Sequence, residues 1–481
     1  MGIYNIFINF APLNYNMKSN KITATLLLLL TIITTGFSQE KVTLSGTITA
    51  ANSNETIIGS NIVIKSIPAY TSTNEYGFYS ITIPKGNYKI EISSIGFQTK
   101  EINVDLNKNT KLNVSISENS EELQEVIITE KKTTNTQKAE MSVNKLSIAT
   151  IKKMPVVLGE VDVLKSLLLL PGVTNAGEGA SGFNVRGGGA DQNLILLDEA
   201  TIFNSSHVFG FFSVFNPDAI KDLKLYKGGI PARFGGRASS VLDVYQKDGN
   251  SKSFHANGGI GLISSRLLLE GPIVKDKGSF IVAARTSYAH LFLKLTDNEN
   301  SASFYDLNAK LNYKFNDNNS LFLSGYFGRD NFGYDGRFGF NWGNITATTR
   351  WNHIYNPKLF SNTSIIYSRY SYQILAGPKD SGVEIGSHIV DFNLKHDYQF
   401  YKNEHSTWKF GLNVIHHTMN PGDLNSTNTD SFNSLNVEKR YALESALYLS
   451  NERKLSSQWS LNYGLRFSNF KQLGPGHVYT F

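Results

Sequence analysis

Three groups of residues have types and spacing that chemistry could use. Arg186-Gly187-Gly188-Gly189 could cradle a phosphate, but the Gly-Lys-Ser/Thr of a nucleotide-binding loop does not follow, and glycine clusters more often form tight turns. Asp198 follows the apolar run Leu194 to Leu197, as a catalytic carboxylate could, yet an Asp at a strand end usually caps a turn. His416 and His417 could ligate a metal, but neighbouring strand residues point to opposite faces. The sequence therefore predicts no catalytic residue, no metal site and no cofactor.

Composition excludes further classes of function. The 481 residues include no Cys, which excludes disulfides, thiolate metal sites and Cys nucleophiles. Lys and Arg number 46 against 40 Asp and Glu. The net charge of +6 falls to +4 once Lys18 and Lys21 leave with the segment described next, so nucleic acid is not an expected partner. With 18% charged and 12% aromatic residues, the chain is also not a long disordered polyelectrolyte.

The N-terminus has the pattern of an export signal. Lys18 and Lys21 precede the apolar stretch Ile22 to Ile33, and the small residues Gly36 and Ser38 follow it. We predict a signal peptide over residues 1–38, with translation starting at Met17 rather than at residue 1. A membrane anchor is the alternative, but the stretch is shorter than the roughly 20 residues that cross a bilayer. Because no later segment is long and apolar enough for a membrane helix, the mature chain would enter a membrane only as a β-barrel.

Residues 41–117 carry short β-rich runs separated by turn residues, which predicts a small sandwich. The predicted strands are Val42 to Ile48, Ile57 to Ile64, Gly77 to Ile83, Tyr88 to Ile92 and Leu112 to Ile116. Ser45-Gly46, Ile58 to Ile62, Thr73 to Tyr79 and Ser94 to Phe97 resemble the carboxypeptidase-regulatory-like domain. Members of that family are binding or accessory sandwiches, so the resemblance does not imply an enzyme, and the sequence has no His-Glu-x-x-His zinc motif.

Residues 118–140 are polar and read as a linker that contains one apolar patch. The patch consists of Leu123, Gln124, Glu125, Val126, Ile127, Ile128 and Thr129. It is long enough to pair as one strand with the sheet edge of a partner. It resembles the TonB box of outer-membrane receptors, which implies an inner-membrane energy-coupling protein of the TonB type as a partner. A last strand of the preceding sandwich is the alternative.

Residues 141–246 combine a helical pattern with short strands and many glycines. Apolar residues at helical spacing predict a helix over Val161 to Leu170, which ends before Pro171-Gly172. Together with the short strands, this helix predicts an α/β globule. The motifs are Leu170 to Val173, Phe183 to Gly188, Leu194 to Asp198, Phe215 to Lys221 and Lys227 to Arg237. In this order they resemble the plug domain of TonB-dependent receptors.

The resemblance implies a globule enclosed by a barrel. The motif residues that it marks are Arg186, Gly187, Asp198, Gly228, Gly229, Arg233, Gly235 and Gly236. By analogy with plug arginines that meet acids of the barrel wall, we expect Arg186 and Arg233 to do so, with solvated surface arginines as the alternative. Asp198 is assigned a structural role. The family often has Asp-Gly where this chain has Asp198-Glu199, so the hairpin there is expected to differ.

From Asn250 to Phe481 apolar and polar residues alternate with a period of two. Leu307, Ala309 and Leu311 alternate with Asn308 and Lys310, for example. One apolar face, aromatic residues near strand ends, and short turns alternating with long loops are typical of an outer-membrane barrel. The segment has about 230 residues, enough for about ten or eleven strands, whereas plugged transporters have about 22. The expectation is half a barrel from a truncated copy or a fragment.

The predicted fold is mainly β, with a sandwich, an α/β plug and an incomplete antiparallel transmembrane barrel. The resemblance implies a TonB-dependent receptor of the outer membrane that imports a scarce small nutrient and is not an enzyme. Outer-membrane lipid, the nutrient and the TonB-type protein are the expected partners. An oligosaccharide importer with a surface lipoprotein as its lid, or a surface receptor that signals without transport, are the alternatives. The sequence does not name the ligand.

Overall fold

The computed structural model describes residues 40–119, 142–154, 160–177, 181–288, 290–291, 300–378, 382–426, 435–456 and 459–474. They form three bodies, which we call the sandwich (residues 40–119), the plug (142–246) and the wall (255–473). The predicted signal peptide and the TonB-box-like patch Leu123 to Thr129 lie outside the described residues.

The sandwich consists of two sheets. Its strands are β1 (Lys41–Ala50), β2 (Asn61–Ile64), β3 (Ala69–Ser72), β4 (Phe78–Pro84), β5 (Gly86–Ser93), β6 (Lys100–Leu106), β7 (Thr110–Lys111) and β8 (Val114–Ile116). One sheet has the order β4-β1-β7 with β8 also on β1, and the other has the order β3-β2-β5-β6. Leu44, Ile62, Ile81 and Ile90 are buried between the sheets, as alternation on a half-buried strand requires. Strands β3 and β6 were not predicted, because their residues are mostly polar or charged.

The plug is a small mixed globule around one sheet. Its elements are β9 (Val143–Ser147), α1 (Ile148–Ile151), α2 (Val163–Leu167), β10 (Val173–Asn175), β11 (Phe183–Val185), β12 (Asn193–Leu197), β13 (Ala200–Thr201), β14 (Ser206–His207), β15 (Phe212–Ser213), β16 (Ile220–Tyr226) and β17 (Ser240–Gln246), with 3-10 turns at Ala190–Gln192 and Val208–Gly210. The central sheet has the order β13-β12-β17-β16-β9, so among the described strands β9 lies at the edge and pairs with β16 alone. Its buried apolar cluster comes from plug residues except for Tyr326 of the wall.

The predicted helix from Val161 to Leu170 is wrong in its length. Helix α2 starts later, because Asp162 is its N-cap and accepts a hydrogen bond from the Lys165 amide at 2.9 Å. It ends earlier, because the amides of Leu168 and Leu170 bond to carbonyls three residues back and tighten the last turn. The apolar periodicity continues through this turn and therefore looked helical in the sequence.

The wall is a single antiparallel sheet in chain order. Its strands are β18 (His255–Ile260), β19 (Ser264–Val274), β20 (Gly278–Ser287), β21 (Ser301–Asn316), β22 (Asn319–Tyr334), β23 (Phe338–Asn356), β24 (Leu359–Ala376), β25 (Val383–Asn403), β26 (Ser406–Ser426), β27 (Leu435–Asn436), β28 (Arg440–Lys454) and β29 (Ser460–Leu473). The short β27 pairs with β26 and is not part of the main strand order. Among the described strands, β18 and β29 do not pair with each other, so the sheet is open. This confirms the predicted incomplete barrel.

The faces of the wall differ as the alternation predicted. Residues such as Leu465 (79% exposed) and Phe392 (57% exposed) project outward, away from the plug. Their neighbours Arg466 and Asn393 lie on the other face, where Arg466 reaches the plug. Strands β21 to β26 have 16 to 21 residues, more than the 9 to 11 that a tilted strand needs to cross a bilayer. The outward face is therefore suited to lipid.

The described part of the chain includes no helix of the length and apolarity that a membrane crossing requires.

The sandwich sits at the end of the wall where the turns are short. Lys111 Nζ donates to Asn318 Oδ1 at 2.9 Å in the β21–β22 turn, and Lys41 Nζ lies 2.6 Å from Glu404 Oε1 in the β25–β26 turn. The longer connections lie at the opposite end. The plug thus has one end covered by the sandwich and one end facing the long connections.

The two faces of strand β25 predict opposite responses to a charge. We expect Phe392→Arg to lower the free energy of unfolding in lipid vesicles by about 2–4 kcal/mol, because a mid-bilayer arginine must leave water. Asn393→Arg, one residue away on the plug-facing side, should cost much less. Urea unfolding of both variants, followed by tryptophan fluorescence, measures the difference. Equal losses would show that the outward face is not in lipid.

Candidate functional site

The plug is attached to the wall by buried ion pairs. Lys310 of β21, only 2% exposed, places Nζ 3.1 Å from Asp198 Oδ2 and 2.9 Å from Asp248 Oδ1. Arg285 of β20 lies 3.3 Å from Glu160. In these pairs the wall supplies the cation and the plug side supplies the acid. Asp198 also accepts the Gln246 amide at 3.1 Å, and these contacts are consistent with a structural role, which stays a prediction.

The Asp198-Glu199 hairpin is built as a two-residue turn with strain. Leu197 pairs directly with Ala200, and φ is 45° at Asp198 and 73° at Glu199, in the left-handed region that usually selects Gly or Asn. Glu199 has compensating partners, since its Oε1 accepts from Tyr76 of the sandwich at 2.9 Å and from Asn362 of the wall at 3.0 Å. A glycine would relax the turn but could not join the three bodies.

Arg233 has a different partner from the one expected. Its Nη2 lies 3.0 Å from Glu75 Oε1, at the tip of the β3–β4 turn of the sandwich, and 3.7 Å from Asp243 within the plug. Lys224 Nζ lies 3.3 Å from the same Glu75 oxygen. Burial alone would raise the pKa of Glu75, but Arg233 and Lys224 hold it well below its ordinary value. The expected pairing of Arg233 with an acid of the wall is therefore wrong, because the acid nearest to the arginine belongs to the sandwich.

Arg186 does not meet a wall acid either. Its Nη2 donates to Ser142 Oγ at 2.8 Å, and among the described residues no carboxylate pairs with it. It follows β11 with φ at 50°, next to Gly187 at 84°, and its guanidinium packs on Gly228, beside Gly229. The fold thus brings two predicted motifs together as a turn cluster within the plug, without a wall partner.

Gly235 and Gly236 lie where the plug touches β28 and β29. A Cβ at Gly235 would lie within 3 Å of the guanidinium of Arg466, so a larger residue there would require the end of the arginine side chain to shift. Arg466 Nη1 donates to the carbonyls of Ala232 and Arg233 at 3.3 Å each. The glycines therefore let a wall arginine grip the plug backbone.

His207 is a buried titratable link between plug and wall. It is 1% exposed, with Nδ1 2.7 Å from Asp330 Oδ2 and Nε2 3.2 Å from Asp306 Oδ2. Arg285 also bonds to Asp306, and the Tyr326 hydroxyl lies 3.3 Å from Nε2. Burial would lower the pKa of His207, but the two carboxylates outweigh it and raise the pKa. The raised pKa favours the imidazolium form, in which both ring nitrogens can donate to the two acids.

The plug apex, Val208 to Gly210, carries an aromatic side chain toward the end with the long connections. Val208 and Phe209 have φ of 47° and 54°, a strained conformation that the bond from the Val208 amide to Asp330 Oδ1 at 2.8 Å supports. The Phe209 ring centroid lies 5.0 Å from that of Phe332 and 4.9 Å from that of Trp342. The apex and wall form a shared aromatic surface.

His416 and His417 do not share a partner. His417 Nδ1 lies 2.7 Å from Asp391 Oδ1, whereas the His416 ring packs beside Tyr441. The two rings point to opposite faces of β26, as strand geometry predicts.

Sequence reasoning missed Glu75, His207 and Phe209 as functional residues. Lys310, and Lys395 whose Nζ lies 3.7 Å from Glu199 Oε2, carried a signal, because both stand on the polar face of alternating strands. Glu75 lies inside the motif Thr73 to Tyr79, which indicated only a resemblance to the carboxypeptidase-regulatory-like domain. The roles of His207 and Phe209 depend on wall residues far away in the chain, which no local pattern indicates.

Comparison with known proteins identifies two of the bodies. Residues 44–128 match the CarboxypepD_reg-like domain model, and residues 135–241 match the TonB-dependent Receptor Plug Domain model. The chain has the domains of a TonB-dependent receptor. A curated relative, TonB-dependent receptor P3 of Formosa agariphila, is 26% identical over 144 residues, which are 30% of this chain and 14% of that protein.

Solved TonB-dependent receptors share the fold. The ferric enterobactin receptor PfeA of Pseudomonas aeruginosa has 14% identity and a TM-score of 0.54, over 70% of this chain and 58% of that one. The siderophore receptor PirA of Acinetobacter baumannii has 15% identity and a TM-score of 0.52, over 70% and 57%. The copper transporter OprC has 12% identity and a TM-score of 0.54, over 71% and 57%. The chain therefore spans less than two thirds of the length of these solved structures.

Removing the Glu75 carboxylate should release the sandwich from the plug. Glu75→Gln removes the buried carboxylate that Arg233 and Lys224 share and leaves Arg233 with the more distant Asp243, which we expect to destabilise the docking by about 3 kcal/mol. Since the folded pKa is lowered, this contribution is present above the ordinary carboxyl pKa and is lost as pH falls through the lowered value. Hydrogen exchange of β4 amides measures it.

Glu101→Gln is the matched control for this prediction. Glu101 also pairs with two lysines, Lys65 and Lys89, but on the exposed surface of the sandwich, so little change is expected. Equal exchange in both variants would contradict the proposed role of Glu75.

The His207 link predicts that stability decreases at alkaline pH. Because the folded pKa is raised, the contribution is complete below the ordinary value of about 6.5 and is lost as pH rises through the raised pKa. The thermal unfolding midpoint should fall over that interval in the wild type, and His207→Gln should remove this part of the fall. His405→Gln, at an exposed turn, is the control. An unchanged profile in His207→Gln would refute the charged link.

Proposed function

We propose that this receptor actively imports a scarce small nutrient across the outer membrane, powered by an inner-membrane protein of the TonB type. The single observation that carries the proposal is the interface of the plug. Its main apolar core comes from its own residues except for Tyr326 of the wall, whereas buried hydrogen bonds and ion pairs make up much of its contact with the wall. Polar contacts can be replaced by water when the plug moves, so displacement leaves most of this core buried.

The ligand would bind where the plug apex meets the long connections. Phe209, Phe332 and Phe340 are partly exposed around the buried Trp342 and offer ring faces on which a flat or cyclic part of a ligand can stack. The solved relatives are named for ferric enterobactin, siderophores and copper. Of these, a metal complex with aromatic groups suits the ring faces best. Ligand contact with Phe209 would act on the strained apex and thus on the bond to Asp330.

The pull would enter through the linker. The patch Leu123 to Thr129 precedes strand β9, which lies at the edge of the plug sheet as far as the structure describes it and pairs there with β16. Force on the linker would therefore peel β9 from the plug before it strains the central strands. The sandwich match extends to residue 128 and includes most of the patch, so the alternative of a sandwich strand needs a direct test.

The test is uptake of a radiolabelled ferric catecholate in cells that express the full chain. Replacing Val126, Ile127 and Ile128 by Pro, Gly and Pro should abolish uptake while leaving ligand binding intact, because the strand that the partner grips is lost. Lys131→Gly with Lys132→Gly, in the same linker, is the control and should retain uptake. Undiminished uptake in the triple variant would refute the coupling segment, and binding without uptake in the wild type would indicate a signalling receptor.

A reversible lock should stop transport. The side-chain oxygen of Asn344 accepts from the backbone amide of Asn204 at 3.4 Å, and its side-chain nitrogen donates to the Asn204 backbone carbonyl at 2.7 Å. Plug and wall are therefore adjacent there. Because the chain has no native Cys, Asn204→Cys with Asn344→Cys introduces a single pair. We expect oxidation to reduce uptake to background and a reductant to restore it. Each single Cys variant is a control, and normal uptake by the cross-linked protein would show that the plug need not move there.

A further inference from the structure

A pocket opens on the outward face of the wall, at the end with the short turns. It has a volume of about 370 Å³ and is lined by Lys402, Trp408, Asn451, Arg453 and Tyr463, with the β25–β26 turn and Leu455 at its rim. Strand alternation fixes the direction of these side chains. Tyr401 packs on Phe78 of the sandwich and Lys454 reaches the Tyr70 carbonyl, so their neighbours Lys402 and Arg453 point the other way. The pocket is separate from every plug contact.

The charge of the pocket is positive. Among the described residues, neither Lys402 nor Arg453 pairs with a carboxylate, and Glu404 in the same turn is engaged by Lys41 at 2.6 Å and by His405 at 3.5 Å. Lys358 of the preceding short turn adds a third cation, since its Nζ lies 3.5 Å from the Lys402 carbonyl. Two unpaired cations beside a cavity are suited to one anionic group.

The rest of the pocket changes from polar to apolar along the strands. Asn451 forms a buried floor, with Nδ2 donating to Ser406 Oγ at 2.9 Å. Trp408 and Tyr463 follow as an edge-to-face pair with centroids 6.5 Å apart, and amphipathic rings of this kind sit at headgroup level. Beyond them, Leu449 and Leu447 of the same β28 project outward and are exposed. Cations, aromatic rings and leucines succeed one another in the order of phosphate, glycerol region and acyl chain in a phospholipid.

We propose that this pocket binds one anionic phospholipid of the leaflet on the short-turn side, with its phosphate against Arg453 and Lys402 and its acyl chains over Leu449 and Leu447. The inference rests on the proposed outer-membrane location but not on transport. Long cations at a membrane edge can also reach the interface without binding a particular lipid. The concave, rigid floor and the paired rings favour a site over a diffuse belt. Bound lipid would anchor the turns on which the sandwich docks.

Native mass spectrometry of the full chain in detergent tests the site, with phosphatidylglycerol or phosphatidylcholine added at equal concentration. We expect the wild type to retain one phosphatidylglycerol with a preference of roughly tenfold, since each basic residue near an anionic surface strengthens binding. K402Q/R453Q should bring the preference close to one. K402R/R453K, which keeps both charges, should preserve it even where the neutral variant folds poorly.

K275Q/K277Q is the matched control, because it removes two exposed lysines from the β19–β20 turn on the same rim, away from the pocket. Equal retention of both lipids by the wild type, or an equal loss in K275Q/K277Q, would overturn the site. Complete displacement of the lipid by millimolar inorganic phosphate would also overturn it, in favour of a site for a soluble anion. If the wild type shows normal uptake but no lipid preference, this inference fails and the transport proposal stands. If the wild type shows the lipid preference but no uptake, the transport proposal fails and this inference stands.

Discussion

A buried lysine on the wall needs buried acids, and this requirement fixes how the three bodies sit together. Lys310 is satisfied by Asp198 and Asp248 and by the Gln246 carbonyl at 3.0 Å, which all arrive from the plug side. Asp248 in turn lies 3.3 Å from Lys221, which lies 3.1 Å from Glu55 of the sandwich. An isolated charge at such a position would cost several kcal/mol. The ionic chain therefore specifies one arrangement of wall, plug and sandwich.

The sandwich is consequently part of the interface that holds the plug and is not an independent domain. Its β3–β4 turn presents Glu75 and Tyr76 to the plug, and Phe78 packs on Phe360 and Tyr401 of the wall. A displacement of the plug relative to the sandwich separates Glu75 from Arg233. A domain known from its family as an accessory module thus becomes a component of the plug interface in this chain.

Much of the fold could be predicted, because its signals are local. The period of two in Leu307 to Lys310 predicts which face of β21 meets lipid, and the ordered glycine motifs predict the plug. Elements without such a signal were missed or misjudged. The polar strand β3 was not recognised, and α2 is shorter than its apolar pattern suggested, because capping by Asp162 and a tightened last turn determine its ends. Contacts between residues far apart in the sequence were predicted least well, as the identity of the acid that pairs with Arg233 shows.

By itself, the sequence determined the order of the three bodies, the two faces of the wall strands and the absence of cysteine chemistry. Each of these depends on residue type or on spacing within one element. Only the tertiary structure decided that Arg233 meets Glu75, 158 residues away, and that His207 lies between two carboxylates about one hundred residues further on. Such pairs depend on strand register and on the docking of whole domains, since opposite charges attract equally well wherever the chain brings them together.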